Sequence, residues 1–186
     1  MTEVLEKAGD YRLVVLLDEY AGNPRTEYDQ LCYVVTVPDR RYYDVDADGG
    51  PLAAGWRRLL YRYYWERSVE IFTRWARIFH RAVTLYDSPN EGANAVWYLL
   101  PDQARETTDP EHLLHAERDE YRAWADGSVY AYAIEHRVTW RRTDGAEGEM
   151  ATWETVDSCF GFYGHEYAQE AGRAAWVAMA DERGEA

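Results

Sequence analysis

Residues 56–81 have the sequence WRRLLYRYYWERSVEIFTRWARIFHR, and this stretch decides the fold. It holds seven arginines, two glutamates and eight aromatic rings. On a helical wheel at about 100° per residue, its aliphatic and aromatic side chains share one wide face. The adjoining face is an arginine stripe, made of Arg67, Arg74, Arg77 and Arg81. The pattern therefore predicts one long amphipathic helix whose apolar face forms the main core surface.

Charge is divided unevenly between this stretch and the rest of the chain. The 186 residues have a net charge of −14, but residues 56–81 carry +5, so the remainder carries −19. Such a charge repels nucleic acid and anionic membranes and favours a basic protein partner. The N-terminus has no signal-like apolar segment, and no run of about 18 apolar residues could span a membrane. We therefore expect a protein of the host-cell cytoplasm, without membrane contact.

Apolar runs and turn signals predict the order of the elements. The five expected strands lie at 11–17, 31–37, 95–100, 128–142 and 150–163, and the three expected helices at about 52–85, 110–125 and 165–180. Strands and helices are mostly segregated along the chain, which favours a single α+β domain over residues 1–186. Its sheet, antiparallel or mixed, would pack against one long central helix and two further helices. Residues 1–10 and 181–186 are polar and are expected to be loose.

The sequence lacks the common motifs of catalysis and cofactor binding. It contains no Walker A motif, no GxGxxG after a strand, no GxSxG and no HExxH. Asp44, Asp46 and Asp48 alternate as in a calcium loop, but Gly55 stands where the bidentate glutamate belongs, so we expect no metal site and no cofactor. A small hydrolase is one alternative. Its groups would come from Asp18, Glu19, Asp157 and His165, with Cys159 beside His165 as a thiol–imidazole pair.

Three pieces of the chain resemble a known set of proteins. The first contains Asp18, Glu19, Asn23, Pro24, Arg25, Tyr28 and Asp29; the second is AVTLYD at 82–87; the third contains Asp157, Ser158, Cys159, Gly161, Phe162, Tyr163 and Gly164. In this order they resemble small, acidic, uncharacterised proteins encoded by bacteriophages and other mobile elements. The chain departs from that pattern at Phe160, where the family often has Trp, and at 88–92, where it often has Cys-Pro-Trp-Asp-Ser-Gly. The resemblance implies a phage or mobile-element origin and no particular activity.

Size, charge and this resemblance together favour a non-enzymatic accessory protein that binds a host protein. In its most concrete form it is an anti-defence factor whose acidic surface mimics DNA and occupies the nucleic-acid site of a restriction or CRISPR enzyme. The acids expected to form that surface are Asp102, Glu106, Asp109, Glu111, Glu117, Asp119, Glu120, Asp126, Asp144, Glu147, Glu149 and Glu154.

The other alternative is a nucleic-acid-binding module that uses the aromatic rings of 56–81 and the arginine stripe. The net charge disfavours direct nucleic-acid binding, so we expect the four arginines of the stripe to pair with carboxylates of the acidic remainder. The arginine fork suits such pairing. Whether the stripe is exposed or paired with those acids is therefore the observation that separates the two hypotheses.

Overall fold

The computed structural model describes residues 2–36, 49–87, 95–141 and 149–183. The strands are β1 (Thr2–Ala8), β2 (Tyr11–Leu17), β3 (Tyr33–Thr36), β4 (Val83–Asp87), β5 (Ala95–Leu99), β6 (Val129–Arg141) and β7 (Glu149–Tyr163). The helices are α1 (Pro24–Glu27), α2 (Ala53–Arg62), α3 (Trp65–His80), α4 (Pro101–Ala104), α5 (Pro110–Ala125) and α6 (His165–Arg183), and a 3-10 turn at Gly50–Leu52 precedes α2.

The predicted α+β class is confirmed, and both sheets are antiparallel. The chain forms two compact units, 1–23 with 126–186, and 24–125. The single domain over 1–186 stays a prediction.

The first unit is a four-stranded antiparallel sheet in the order β1-β2-β6-β7, with α6 packed against it. Gly172 brings α6 close to the sheet, because a Cβ added there would lie 3.1 Å from side-chain atoms of both Leu13 and Tyr132. The long hairpin of β6 and β7 was predicted from its alternating pattern, and its pairing is confirmed. β7 forms one edge of this sheet, opposite β1, and most of its residues are exposed.

The second unit is a three-stranded antiparallel sheet in the order β3-β5-β4, placed between two helical layers. The central strand β5 is buried throughout its length. Trp97 belongs to the core cluster shared with α5, whereas Tyr98 belongs to the cluster shared with α2 and α3. A strand buried on both faces needs apolar side chains at every position, which explains the continuous run AVWYL.

The long central helix predicted for 52–85 is wrong, because the segment breaks into α2, α3 and β4. The backbone is extended at Tyr63 and Tyr64, with ψ of 160° and 156°. The ring centroids of Trp56 and Phe72 lie 5.3 Å apart, whereas one straight helix would separate the two residues by about 24 Å along its axis. The break therefore lets both halves of the segment reach the same core. Arg81, with φ of 52°, ends α3 and directs the chain into β4.

Three further expectations need correction. Residues 2–8 are not loose but form β1, and residues 181–183 continue α6. The strands form two sheets rather than one sheet of five. The AVTLYD piece lies mainly in β4 and not at the end of a helix. Residues 44–48, 88–92, 144 and 147 lie outside the described residues.

Gly50 tests the packing at the start of α2. Its φ is +64°, and an added Cβ would lie 2.3 Å from the Tyr33 ring and 2.8 Å from the Tyr98 hydroxyl oxygen. We expect Gly50→Ala to lower the free energy of unfolding by about 3 kcal/mol or more, since overpacking adds to left-handed strain. Gly127→Ala is the matched control, because Gly127 has φ +66° with nothing within 4 Å of the added Cβ. It should cost only about 1–2 kcal/mol in urea denaturation. Equal costs would contradict the described packing.

Candidate functional site

Among the described residues, no carboxylate outside 56–81 forms an ion pair with the arginine stripe. Arg67 pairs with Glu70 of its own helix at 2.5 Å, where both side chains are exposed. Arg77 is held by Thr84, with Nε donating to Oγ1 at 2.7 Å and Nη2 donating to the carbonyl oxygen at 3.1 Å. Arg74 and Arg81 are exposed, and neither forms an ion pair within the described ranges. Within the part of the chain that the structure describes, the expected pairing of the stripe with acids outside 56–81 is therefore not found, and Arg67 pairs inside its own helix instead.

A second cationic surface lies on α2, and we name it the arginine–tyrosine face. It consists of Arg57, Arg58, Tyr61 and Arg62, which share one side of the helix at positions i, i+1, i+4 and i+5. All four are exposed, and they line a depression of about 610 Å³. The Tyr61 side chain is 95% exposed, so its ring is open to a partner. Among the described residues, no carboxylate pairs with the three guanidinium groups.

The sequence analysis missed Arg57, Arg58 and Arg62 because it treated 56–81 as one helix. On that continuous wheel, with Arg67 at 0°, Arg57 and Arg58 fall at about 80° and 180°, within or beside the apolar arc. The break at Tyr63–Tyr64 gives α2 its own phase, which turns these arginines outward. The local spacing RRLLYR was the signal that could have identified the surface.

A groove of about 660 Å³ lies between α3 and the edge strand β4. Its lining is Glu66, Val69, Glu70, Thr73, Arg74, Arg77, Ile78 and Tyr86, so seven of the eight residues come from one side of α3. Ile78 is 59% exposed and Tyr86 is 39% exposed, which leaves apolar surface open to solvent. The pKa of Tyr86 is raised by burial first and then by the carboxylates of Glu66 and Asp87. We call this feature the α3–β4 groove.

The acids predicted to form one surface are only partly exposed, and they are divided between the two units. Exposed positions are Asp102, Glu106, Asp109, Glu111 and Asp119 in the second unit, and Asp126, Glu149 and Glu154 in the first. Arg105 lies 3.2 Å from Asp102, and Arg118 lies 2.7 Å from Asp119, so two of these charges are offset. Asp144 and Glu147 lie outside the described residues.

Glu117 does not belong to that surface, because it is buried against β3 and α1. Its carboxylate accepts the N–H groups of Leu31 and Cys32 at 2.9 and 3.0 Å. Arg25 lies 4.0 Å from the same carboxylate, donates to the Cys32 carbonyl at 2.9 Å, and stands over the Trp97 ring at 5.1 Å. This role could not be read from the sequence, since Glu117 stands in a run of charged residues that is typical of an exposed helix face. Glu120, half-buried beside it, has a raised pKa because of burial and the Glu117 charge.

Arg25 of the family-like motif is therefore a structural residue. Pro24 is buried and begins α1, and Asn23 is half-buried just before it. Arg25 joins the segment that precedes β3 to α5 through the Glu117 carboxylate. The motif thus anchors the chain at the start of the second unit.

The third piece of the resemblance lies at the end of β7. Asp157, Ser158 and Cys159 are exposed on the strand, and Phe162 packs against the rings of Tyr132 and Tyr167. Gly161 (φ +82°) donates its N–H to Asp18 Oδ2 at 3.2 Å. Tyr163 precedes Gly164, which turns the chain into α6 with φ of +115°.

These contacts oppose the hydrolase alternative. The Asp18 carboxylate accepts the backbone N–H groups of Tyr20 and Gly161. His165 pairs with Glu3 at 2.7 Å and packs on the Tyr130 ring, whereas the Cys159 thiol lies 3.9 Å from the Phe160 carbonyl oxygen and opposite Tyr132 in the sheet. No nucleophile and base meet among the described contacts, and within 2–36, 49–87, 95–141 and 149–183 no group of three or more His, Cys, Asp or Glu residues could hold a metal ion.

Comparison of this chain with protein-family models, curated proteins and solved structures finds no match. Its functional interpretation therefore rests on its own geometry. None of the described helices is long and apolar enough to cross a membrane.

Glu117 gives a direct test of the Arg25 network. Glu117→Ala removes the acceptor of two backbone N–H groups and the counter-charge of Arg25, so we expect a loss of about 3–5 kcal/mol in the free energy of unfolding. Asp119→Ala, on the exposed side of the same helix, should cost about 1 kcal/mol or less. Urea denaturation at pH 7 measures both changes. Similar losses for the two variants would contradict the buried role of Glu117.

The two thiols should differ sharply in reactivity. Cys32 is 1% exposed, and burial together with the Glu117 charge raises the pKa of its thiol, so it forms little thiolate. Cys159 is exposed. We expect a colorimetric thiol reagent at pH 8 to modify one cysteine per native chain and the second only in denaturant. Cys159→Ser should leave the native protein unreactive, and rapid labelling of that variant would contradict the buried position of Cys32.

Proposed function

We propose that this protein is a non-enzymatic nucleic-acid-binding protein that contacts phosphates through the arginine–tyrosine face of α2 and the exposed arginines of α3. The observation that carries the proposal is the cluster of three exposed guanidinium groups around an exposed tyrosine ring, without carboxylate partners in the described residues.

The excess of acidic residues in the chain makes a cluster of arginines without described carboxylate partners unexpected, and this supports a role in ligand binding. The chain has 34 acidic residues against 20 lysines and arginines, so carboxylates outnumber the cations available to pair with them. Most described arginines outside 56–81 lie within 4 Å of a carboxylate, as Arg12 does with Glu135 at 2.6 Å, whereas Arg137 has no such partner among the described residues. The arginines of α2 have no carboxylate partner among the residues that the structure describes, which is the arrangement expected where the ligand supplies the negative charge.

The chemistry of the surface suits phosphate and base together. Guanidinium groups bind phosphate oxygens through two parallel hydrogen bonds, and they stack on planar rings. An exposed tyrosine ring provides a stacking platform for a base without regard to its identity. Arg62 also lies over the Tyr63 ring at 6.0 Å, so rings and cations alternate towards the end of α2.

The acidic remainder restricts where a nucleic acid can bind. Its −19 charge repels phosphates from most of the chain, which leaves residues 56–81 as the place where a strand can approach. We therefore expect a short contact, with few phosphates neutralised and modest affinity.

A second candidate function is the anti-defence role, in which the acidic surface binds a basic site of a host enzyme. The supporting observation is the exposure of Glu106, Asp109 and Glu111, which lie around the start of α5 without arginine partners in the described residues. A phage or mobile-element origin would fit either function.

A charge-reversal experiment tests the nucleic-acid proposal. We expect the protein to bind a labelled single strand of DNA or RNA, and Arg57→Glu/Arg58→Glu/Arg62→Glu to weaken binding at 50 mM salt at least about tenfold. The slope of log affinity against log salt should fall by about 2, at about 0.7 per lost phosphate contact. Fluorescence anisotropy between 50 and 200 mM salt measures both quantities.

The matched control is Arg105→Glu/Arg137→Glu/Arg173→Glu. These arginines are also exposed, and the control lowers the net charge by the same amount. It should keep most of the affinity and the salt slope. Absence of binding by the unmodified protein at 50 mM salt, or equal losses in the two triple variants, would overturn the proposal.

A further inference from the structure

The α3–β4 groove has the size and the walls of a ligand site. Its volume of about 660 Å³ lies within the range of sites that hold small organic groups. Val69, Ile78 and Tyr86 supply apolar surface, and the last two are considerably exposed although their side chains would be more stable under cover. The groove follows α3 from residue 66 to residue 78, about 18 Å at the usual helical rise.

Polar groups of three kinds accompany this apolar surface. Thr73 has a buried hydroxyl oxygen with no hydrogen-bond partner among the described residues, and a hydroxyl can both donate and accept. The Glu66 carboxylate can accept from an exocyclic amino group, as carboxylates do from cytosine. Arg74 is exposed and carries no described ion pair, so it can bind a phosphate. The Tyr86 hydroxyl is protonated at neutral pH, as an ordinary tyrosine is, and can donate a hydrogen bond.

The rim of the groove is not strongly acidic, despite its two glutamates. Arg67 offsets Glu70 at 2.5 Å, which leaves Glu66 beside Arg74 and Arg77. Arg77 is fixed by its two hydrogen bonds to Thr84, so its charge stays at the groove. The local balance is therefore positive within a chain of net charge −14, and it complements an anion.

We infer that the α3–β4 groove accepts one unstacked base of a single-stranded nucleic acid, while Arg74 holds an adjacent phosphate. The apolar walls cover the faces of the base, and Thr73 and Glu66 meet its polar edge. This inference rests on the proposed function and deepens it, because it makes the ligand single-stranded. In a duplex the base faces are stacked on their neighbours, so they are not free to enter a groove.

Three labelled probes of equal length test the inference with the full-length protein. They are a mixed-sequence single strand of 12 nucleotides, an abasic strand with the same phosphates, and the corresponding duplex. We expect the single strand to bind about tenfold more tightly than the abasic strand, given the usual contribution of stacking per base. The duplex should also bind more weakly than the single strand.

Variants of the groove wall identify where the base binds. Tyr86→Ala should bring the affinity for the single strand down towards that for the abasic strand, and leave the abasic affinity unchanged. Phe79→Ala is the matched control, since Phe79 is 74% exposed on α3 and does not line the groove. Thr73→Val conserves shape, so a several-fold loss for the single strand alone would show that the hydroxyl takes part even if Tyr86→Ala perturbs the fold.

The outcomes distinguish this inference from the proposal on which it rests. Equal binding of the single strand and the abasic strand, both lost in Arg57→Glu/Arg58→Glu/Arg62→Glu, would overturn the inference and leave the phosphate contacts of the proposed function standing, without the stacking on Tyr61. The same holds if base-dependent binding survives both Tyr86→Ala and Thr73→Val. Absence of binding to every probe would overturn both, and would favour a protein ligand for the groove.

Discussion

The second unit depends on the burial of Phe72 between α2, α3 and β5. Its ring meets those of Trp56 at 5.3 Å and Tyr98 at 5.9 Å, and the Tyr98 hydroxyl in turn donates to the Gly49 carbonyl at 2.5 Å and accepts the Leu52 N–H at 3.1 Å. A continuous helix could not bring both of its halves to one aromatic cluster. The break at Tyr63–Tyr64 therefore follows from packing, and the outward orientation of the α2 arginines follows from the break.

The sequence predicted the elements whose own pattern is sufficient and missed those that depend on distant contacts. β2, β5, α5, the β6–β7 hairpin and α6 were expected, because each has a clear apolar run or period. β1 was missed because it is an edge strand with only Leu5 partly buried, so it carries no apolar pattern. β4 was missed because VTLYD continues a helical period, and only its pairing with β5 makes it a strand. Of the candidate binding residues, those of the arginine stripe were identified from the sequence. The arginine–tyrosine face was not, because its orientation depends on the break between α2 and α3.

The arginines that pair with carboxylates inside the fold are not the arginines of 56–81 that the charge pattern suggested for this role. The internal counter-charges are outside 56–81: Arg12 pairs with Glu135, Arg25 approaches Glu117, and Arg122 pairs with the fully buried Asp87. A sequence cannot show which arginine is placed opposite which carboxylate, because the partners lie 35 to 123 residues apart. The basic segment 56–81 was expected to supply the arginines of these ion pairs, but its arginines lie at the surface.

The arginines that form ion pairs and the exposed arginines of 56–81 are different residues, and this difference determines the charge distribution of the surface. Each of these ion pairs joins one arginine to one carboxylate, so the interior stays close to neutral. The exposed acids and the exposed arginines of 56–81 belong to different parts of the sequence. Screening in physiological salt limits charge interactions to about 8 Å. An anionic ligand in contact with α2 therefore interacts mainly with the guanidinium groups that it touches, because charges more than about 8 Å away are largely screened. An acidic protein can in this way bind phosphate at one basic surface. Its negative net charge then mainly lowers the association rate of an anionic ligand.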